Sequence, residues 1–238
     1  MIVRFYFFLL IFLVFTKITA QDISGSELLT KAIAFHDPNN NWSTFNDSFK
    51  VVMKTPKGND RHSTITINLP KQLFNLNVVI ADDSYTYAID KDTCAVTFNG
   101  NRSIPENAKE KYGLSCERAS MFKNYYTYLY GLPMKLKDPG TTIDEKVVAK
   151  NFKGKEYLVL KVTYDKKVGD DTWYFYFDPI SYEMKLYQFY HDESKNDGEY
   201  ILLESLETIN DIKMPKIRKW YYNSDDTFLG TDMLSKNL

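Results

Sequence analysis

Ser63-Thr64-Ile65-Thr66-Ile67-Asn68-Leu69 alternates residue by residue, with Ile65, Ile67 and Leu69 in one phase and Thr64, Thr66 and Asn68 in the other. Successive side chains of an extended chain point to opposite faces, so this stretch reads as a strand with one apolar and one wet face. The same period runs outward from it in both directions. Upstream, Phe49, Val51 and Met53 alternate with Lys50 and Lys54; downstream, Tyr85, Tyr87 and Ile89 are followed by Cys94, Val96 and Phe98. Turn clusters such as Pro56-Lys57-Gly58-Asn59-Asp60 separate these runs, which marks them as half-buried antiparallel strands.

The second half of the chain repeats the pattern. Leu158, Leu160, Val162 and Tyr164 share a face, and Trp173 to Phe177 is wholly aromatic before Asp178-Pro179-Ile180-Ser181 turns into Met184 to Tyr190. Further strands are predicted over 200–208, 216–222 and 228–233. Only two segments carry a helical period. Ser24-Gly25-Ser26-Glu27 has the form of a capping box leading into Leu28, Leu29, Ala32 and Ile33, and Asp37-Pro38 ends the run. Arg118 to Tyr130 places Phe122, Tyr125, Tyr126 and Leu129 on one face, with Gly131 as the residue after the helix and Pro133 blocking its continuation. About ten strands with so few helices cannot form a parallel α/β sheet, which needs a crossover at nearly every step. The expected fold is mainly β (α+β): a single curled antiparallel sheet or half-open β-barrel, with helices covering its concave face. No linker or shift in composition divides the chain, so residues 21–238 form one domain.

The first twenty residues predict the compartment. A basic start ending at Arg4, an unbroken apolar run from Phe5 to Phe15, and Thr19-Ala20 before polar Gln21 have the form of a cleavable secretory signal peptide, cut after Ala20. Eleven apolar residues make roughly 16 Å of helix, too short to span a bilayer core. No cysteine lies near the cut, so no lipid anchor is expected, and the mature chain is expected to be periplasmic or secreted. The formal net charge is −1, which argues against nucleic acid as a partner, since that demands concentrated positive charge. The two cysteines, Cys94 and Cys116, would meet an oxidising space and are expected to form a disulfide. Closing a loop of roughly 23 residues would stabilise the fold by about 3 kcal/mol.

Reactive chemistry is hard to find. Three histidines are present, His36, His62 and His191. Two are followed by aspartate, but adjacent side chains on a strand diverge, and no metal-ligand spacing supports a metal site. Gly113-Leu114-Ser115-Cys116 lacks the second glycine of a nucleophile turn. The acid pairs Asp82-Asp83, Asp170-Asp171 and Asp225-Asp226 lie in turn-like text and read as solvated corners rather than glycosidase carboxylates. We therefore expect no catalytic residue, no metal and no cofactor, and a protein that is not an enzyme. Aromatic residues make up 16% of the chain, and their crowding at Tyr125 to Tyr130 and Trp173 to Phe177 fits either plain core or the wall of an apolar pocket. Asn41-Trp42-Ser43, Asn46-Asp47-Ser48 and Asn101-Arg102-Ser103 match glycosylation sequons, relevant only in a eukaryotic host.

The order helix, strands, helical lid, strands resembles the outer-membrane lipoprotein-sorting (LolA/LolB-like) superfamily of half-open antiparallel barrels. So does Trp173-Tyr174-Phe175-Tyr176-Phe177-Asp178-Pro179 turning into the next strand, and Asp211-Ile212-Lys213-Met214-Pro215 entering another. Ala34-Phe35-His36-Asp37-Pro38 and Lys123-Asn124-Tyr125-Tyr126-Thr127-Tyr128-Leu129-Tyr130-Gly131-Leu132-Pro133 resemble an uncharacterised exported bacterial family within it. The resemblance implies a carrier or sensor that shields an apolar small molecule or acyl chain in water, with a transient membrane or lipoprotein partner and a monomeric state. It also implies a cavity arginine, for which Arg118 and Arg102 are the nearby candidates. The expected pocket has Phe122, Tyr125, Tyr126 and Leu129 on the lid helix and Trp173, Phe175 and Phe177 on the opposing strand. Two other classes stay open: a ligand-free scaffold with a filled core, and an undetected hydrolase.

Overall fold

The computed structural model describes residues 23–237. The expected signal peptide, its cut after Ala20 and the new start at Gln21 lie outside them. Among the described residues no helix is long and apolar enough to cross a membrane.

Thirteen strands form one open antiparallel sheet. The first five, β1 (Asn46–Lys54), β2 (Arg61–Asn68), β3 (Leu73–Ile80), β4 (Asp83–Asp90) and β5 (Thr93–Phe98), meander toward one edge. The last six, β8 (Lys155–Tyr164), β9 (Thr172–Phe177), β10 (Met184–Tyr190), β11 (Glu199–Ile209), β12 (Ile212–Tyr222) and β13 (Phe228–Lys236), meander back to the middle, where β13 pairs with β1. Two short strands, β6 (Thr141–Ile143) and β7 (Val148–Phe152), both pair with β8 and finish the other edge. The expected strands are all present. β3, β6 and β7 are additional: Val78-Val79-Ile80 blurs the alternation of β3, and β7 is almost wholly exposed, so neither announces itself by period.

This topology dictates what covers the concave face. Since β5 and β6 lie at opposite ends of the sheet, the chain between them must cross its whole width. It does so through α2 (Glu106–Tyr112) and α3 (Cys116–Tyr130), and α3 lies over the sheet with Ala119, Phe122, Tyr126, Leu129 and Tyr130 buried. Ser115 caps its first turn by accepting from the Arg118 N–H at 3.2 Å. Its end falls where the sequence puts it, with Gly131 the first residue after the helix. Gly131 is not left-handed (φ −92°, ψ 0°); it is glycine because a Cβ there would run into the Trp42 ring and the Thr127 carbonyl. Packing, not a left-handed turn, ends this helix.

The amino-terminal helix α1 (Gly25–His36) realises half of the expected capping box. The Ser24 hydroxyl accepts from the Glu27 N–H at 3.2 Å, while the Glu27 carboxylate pairs with Lys31 instead of reaching back. At its other end the Asp37 carboxylate accepts from the Asn41 and Trp42 N–H groups at 2.8 and 2.9 Å. His36 pins the helix to the sheet: Nδ1 donates to the Lys213 carbonyl at 2.6 Å and Nε2 accepts from the Met184 N–H at 3.0 Å. Those two bonds need a neutral ring, and burial lowers its pKa from 6.5 to about 4. The unfolded chain thus binds a proton between these values that the native state refuses. Stability should be flat above pH 6.5 and fall by roughly 3 kcal/mol as pH drops through this window. Urea midpoints measured from pH 7 to pH 4 in wild type and His36→Gln test this; an equal slope in both would exclude His36 as its source.

Candidate functional site

The concave face is not uniformly filled. Over β1 to β4, α3 is sealed to the sheet by ring contacts: Phe49 with Tyr130 at 4.8 Å, Tyr87 with Phe122 at 5.5 Å, Phe74 with Tyr126 at 6.4 Å between centroids. A disulfide between Cys94 on β5 and Cys116, the first residue of α3, fixes this end of the helix to the edge strand. Toward β8 and β9 the contact opens into a cleft of about 590 Å3, walled by Tyr125, Tyr128, Tyr164 and Trp173, with Lys123, Lys135 and Lys167 among its polar residues. That volume lies within the roughly 300–1,000 Å3 of small-molecule sites. The Tyr128 and Tyr164 hydroxyls bond to each other, and Trp173 stacks on Phe189 with centroids 4.8 Å apart, so the wall is held by its own neighbours. On the far side of Tyr125 a second hollow of about 220 Å3 is lined by Met53, Trp220, Leu229 and Asp232. Tyr125 is the partition common to both.

The seven expected pocket residues divide by position. Tyr125 and Trp173 line the cleft. Phe122, Tyr126 and Leu129 are buried in the seal between α3 and the sheet, and Phe175 and Phe177 are fully buried beneath it. The aromatic strand does use both faces, because Tyr176 joins Val159, Leu186 and Tyr200 in a second cluster on the outer side. An open groove of about 690 Å3 beside that cluster carries Lys153, Lys155, Glu156, Asp178 and Lys185, a charged surface rather than a shielded hollow.

Sequence reading missed the polar centre of the concave floor. Arg61 on β2 lies opposite Met53 on β1, Met53 opposite Asp232 on β13, and Asp232 opposite Arg218 on β12, which makes one row across four strands. Arg218 is 0% exposed; it donates to the Pro215 and Leu129 carbonyls at 2.9 and 3.4 Å and lies 4.0 Å from the Tyr130 ring centroid. Arg61 donates to the Tyr126 hydroxyl at 3.3 Å, and Asp232 accepts from the Trp220 indole at 3.1 Å. Burial raises the Asp232 carboxyl above its usual range against the pull of Arg218 and Arg61, and pushes the Tyr187 phenol up to about 12. Arg102 and Arg118, the arginines expected from resemblance, are both exposed. The missed residues did carry a signal: Arg61 is in phase with Ser63, Ile65 and Ile67, and Asp232 with Leu234, so each is a charge on an inward parity.

The histidines are separated. His36 is structural as described, and His191 bonds through Nδ1 to Asp171 at 2.6 Å, not to its neighbour Asp192. Among the described residues no group of three or more His, Cys, Asp or Glu side chains is placed to hold a metal.

An open antiparallel sheet with a helix laid across its concave face defines a LolA-like half-barrel. A LolA superfamily protein from Nitrosomonas europaea shares this fold, with a TM-score of 0.50 at 9% identity over 90% of this chain and 92% of that one. A DUF1329 family protein from Desulfovibrio piger does so with 0.50 at 10% identity, over the same shares of each chain. A domain described as outer membrane lipoprotein-sorting, from Vibrio parahaemolyticus, aligns with 0.47 at 12% identity over 90% of each. No curated protein matches the sequence. The chain belongs to the family of unknown function DUF6503, whose model matches residues 3–237.

Proposed function

We propose that this protein is a non-enzymatic carrier or sensor, periplasmic or secreted, that holds an apolar ligand between α3 and the sheet. The observation that carries the reading is the aromatic cleft: Tyr125, Tyr128, Tyr164 and Trp173 offer apolar faces with polar rims in a hollow of small-molecule size. Burial of roughly 0.8 kcal/mol per CH2 makes such a site effective without a catalytic group. The disulfide supports an exported protein, since such bonds persist in oxidising compartments. The LolA-like half-barrel accords with a carrier, and lipid is the ligand class we favour.

Wild-type protein should bind a neutral fluorescent apolar probe, and lipid should be recovered by mass spectrometry from protein purified under native conditions. Tyr125→Ser, which removes the partition between the two hollows, should weaken the probe about tenfold, equivalent to ~1.4 kcal/mol, with only a small change in melting temperature. A wild-type protein that takes up neither probe nor lipid would sink the carrier. The sealed packing over β1 to β4 favours a second reading, a ligand-free scaffold, and that outcome would select it.

A further inference from the structure

The smaller hollow behind Tyr125, about 220 Å3, is acidic. Its lining holds two carboxylates, Asp232 on β13 and Glu199 on β11, among Met53, Tyr125, Trp220 and Leu229, and includes no lysine, arginine or histidine. Neither acid has a counter-charge in contact, since every ion pair among the described residues uses another acid. Asp232 is 5% exposed. One of its oxygens accepts from the Trp220 indole at 3.1 Å, and the other, Oδ1, is buried without a partner. Buried polar groups are normally satisfied, and leaving one unpaired costs about as much as a lost hydrogen bond or more. Glu199, the first residue of β11, is half-buried.

The nearby cations are engaged elsewhere. Arg218 donates to the Pro215 and Leu129 carbonyls and lies against the Tyr130 ring, Arg61 donates to the Tyr126 hydroxyl, and His191 bonds to Asp171. Burial outweighs their pull and holds both the Asp232 and the Glu199 carboxyls above the usual range. Both acids are therefore short of positive charge, and a buried anion in that condition is costly. Trp220 and Tyr125 add ring faces, which attract cations. An ammonium group complements all of this: it brings a charge for the two acids, an N–H for Asp232 Oδ1 and a cation for the rings.

We propose that the ligand is a basic amphiphile, a primary amine with a hydrocarbon tail. Its ammonium head sits in the hollow between Asp232 and Glu199, and its tail runs past Tyr125 into the aromatic cleft. This rests on the carrier reading and adds the head to it. The cleft itself carries Lys123, Lys135 and Lys167, while its acids Asp138 and Asp171 are bonded to Lys135 and His191. A positive head is thereby directed away from the cleft and into the hollow. An acidic head in the hollow would meet two carboxylates, and an uncharged one would leave both without a counter-charge.

The test compares heads on one tail. Oleylamine, oleyl alcohol and oleic acid are titrated near neutral pH by displacement of the neutral probe from wild type. The amine should bind at least about tenfold tighter than the alcohol, the size of one charge-assisted hydrogen bond, and the acid should bind weakest. Glu199→Gln, at a half-buried position, should shrink the advantage of the amine to about threefold or less, and Asp232→Asn, which keeps an acceptor for Trp220, should do the same. The wild-type ratio stands even if a variant fails to fold. Amine and alcohol binding alike, or the acid binding tightest, would overturn the basic head and leave the carrier intact. An advantage unchanged in both variants would place the amine outside the hollow, which also overturns the proposal. Butylamine displacing the probe as well as oleylamine would mean a free-amine site and would overturn the amphiphile. If none of the oleyl compounds binds, the carrier reading fails with it.

Discussion

Replacing Tyr126 and Leu129 together with charged residues should unfold the protein. Tyr126 is 1% exposed and Leu129 4% exposed, and both lie in the seal between α3 and the sheet. Each change deletes a large apolar contact and buries a charge without a partner, a combined cost of roughly 5 kcal/mol or more. Domains have only about 5–15 kcal/mol in hand. The variant should be insoluble or melt without a cooperative transition in circular dichroism. Tyr125→Ser, one residue away but on the flank facing the hollows, should keep its melt. A native-like melt of the double variant would show that α3 is not seated on β1 to β4 as described.

Converting Cys94 and Cys116 to serine should cost about 3 kcal/mol by the loop-entropy argument. For a domain of this size that lowers the melting temperature by roughly 6–12 °C. The bond also joins the edge strand β5 to the first turn of α3, so its loss frees the start of the helix that covers the concave face. Hydrogen exchange should therefore rise first in α3 and β5, ahead of the central strands β1 and β13. An unchanged melting temperature, with or without reductant in the wild type, would show that the bridge adds nothing to the fold.

Much of this molecule was legible in its sequence because the signals are local. A period of two in Ile65, Ile67 and Phe49, Val51, Met53 is fixed by the pleat of the strand itself. The Ser24 cap and the wholly aromatic run at Trp173 to Phe177 are equally local, and the two cysteines, read with the export expected from the first twenty residues, predicted their own bridge. β7 and α2 escaped because an exposed edge strand and a two-turn helix carry little apolar pattern.

What only the tertiary structure decided is non-local. Strand order is one such fact: that β1 and β13 meet in the middle, forcing the chain from β5 to β6 across the concave face, is nowhere in the alternation. The division of the aromatic face of α3 is another. Phe122, Tyr126 and Leu129 share a helical stripe with Tyr125, yet the stripe alone cannot say that Phe122 and Tyr126 meet rings of β4 and β3 and Leu129 is buried while Tyr125 borders an open cleft. The polar row is the third. Arg61 lies more than half the chain away from Arg218 and Asp232, and cross-strand register alone makes them neighbours. Periodicity reports which face a side chain takes; which other side chains share that face is set by pairing between distant segments, and that information exists only once the sheet is assembled.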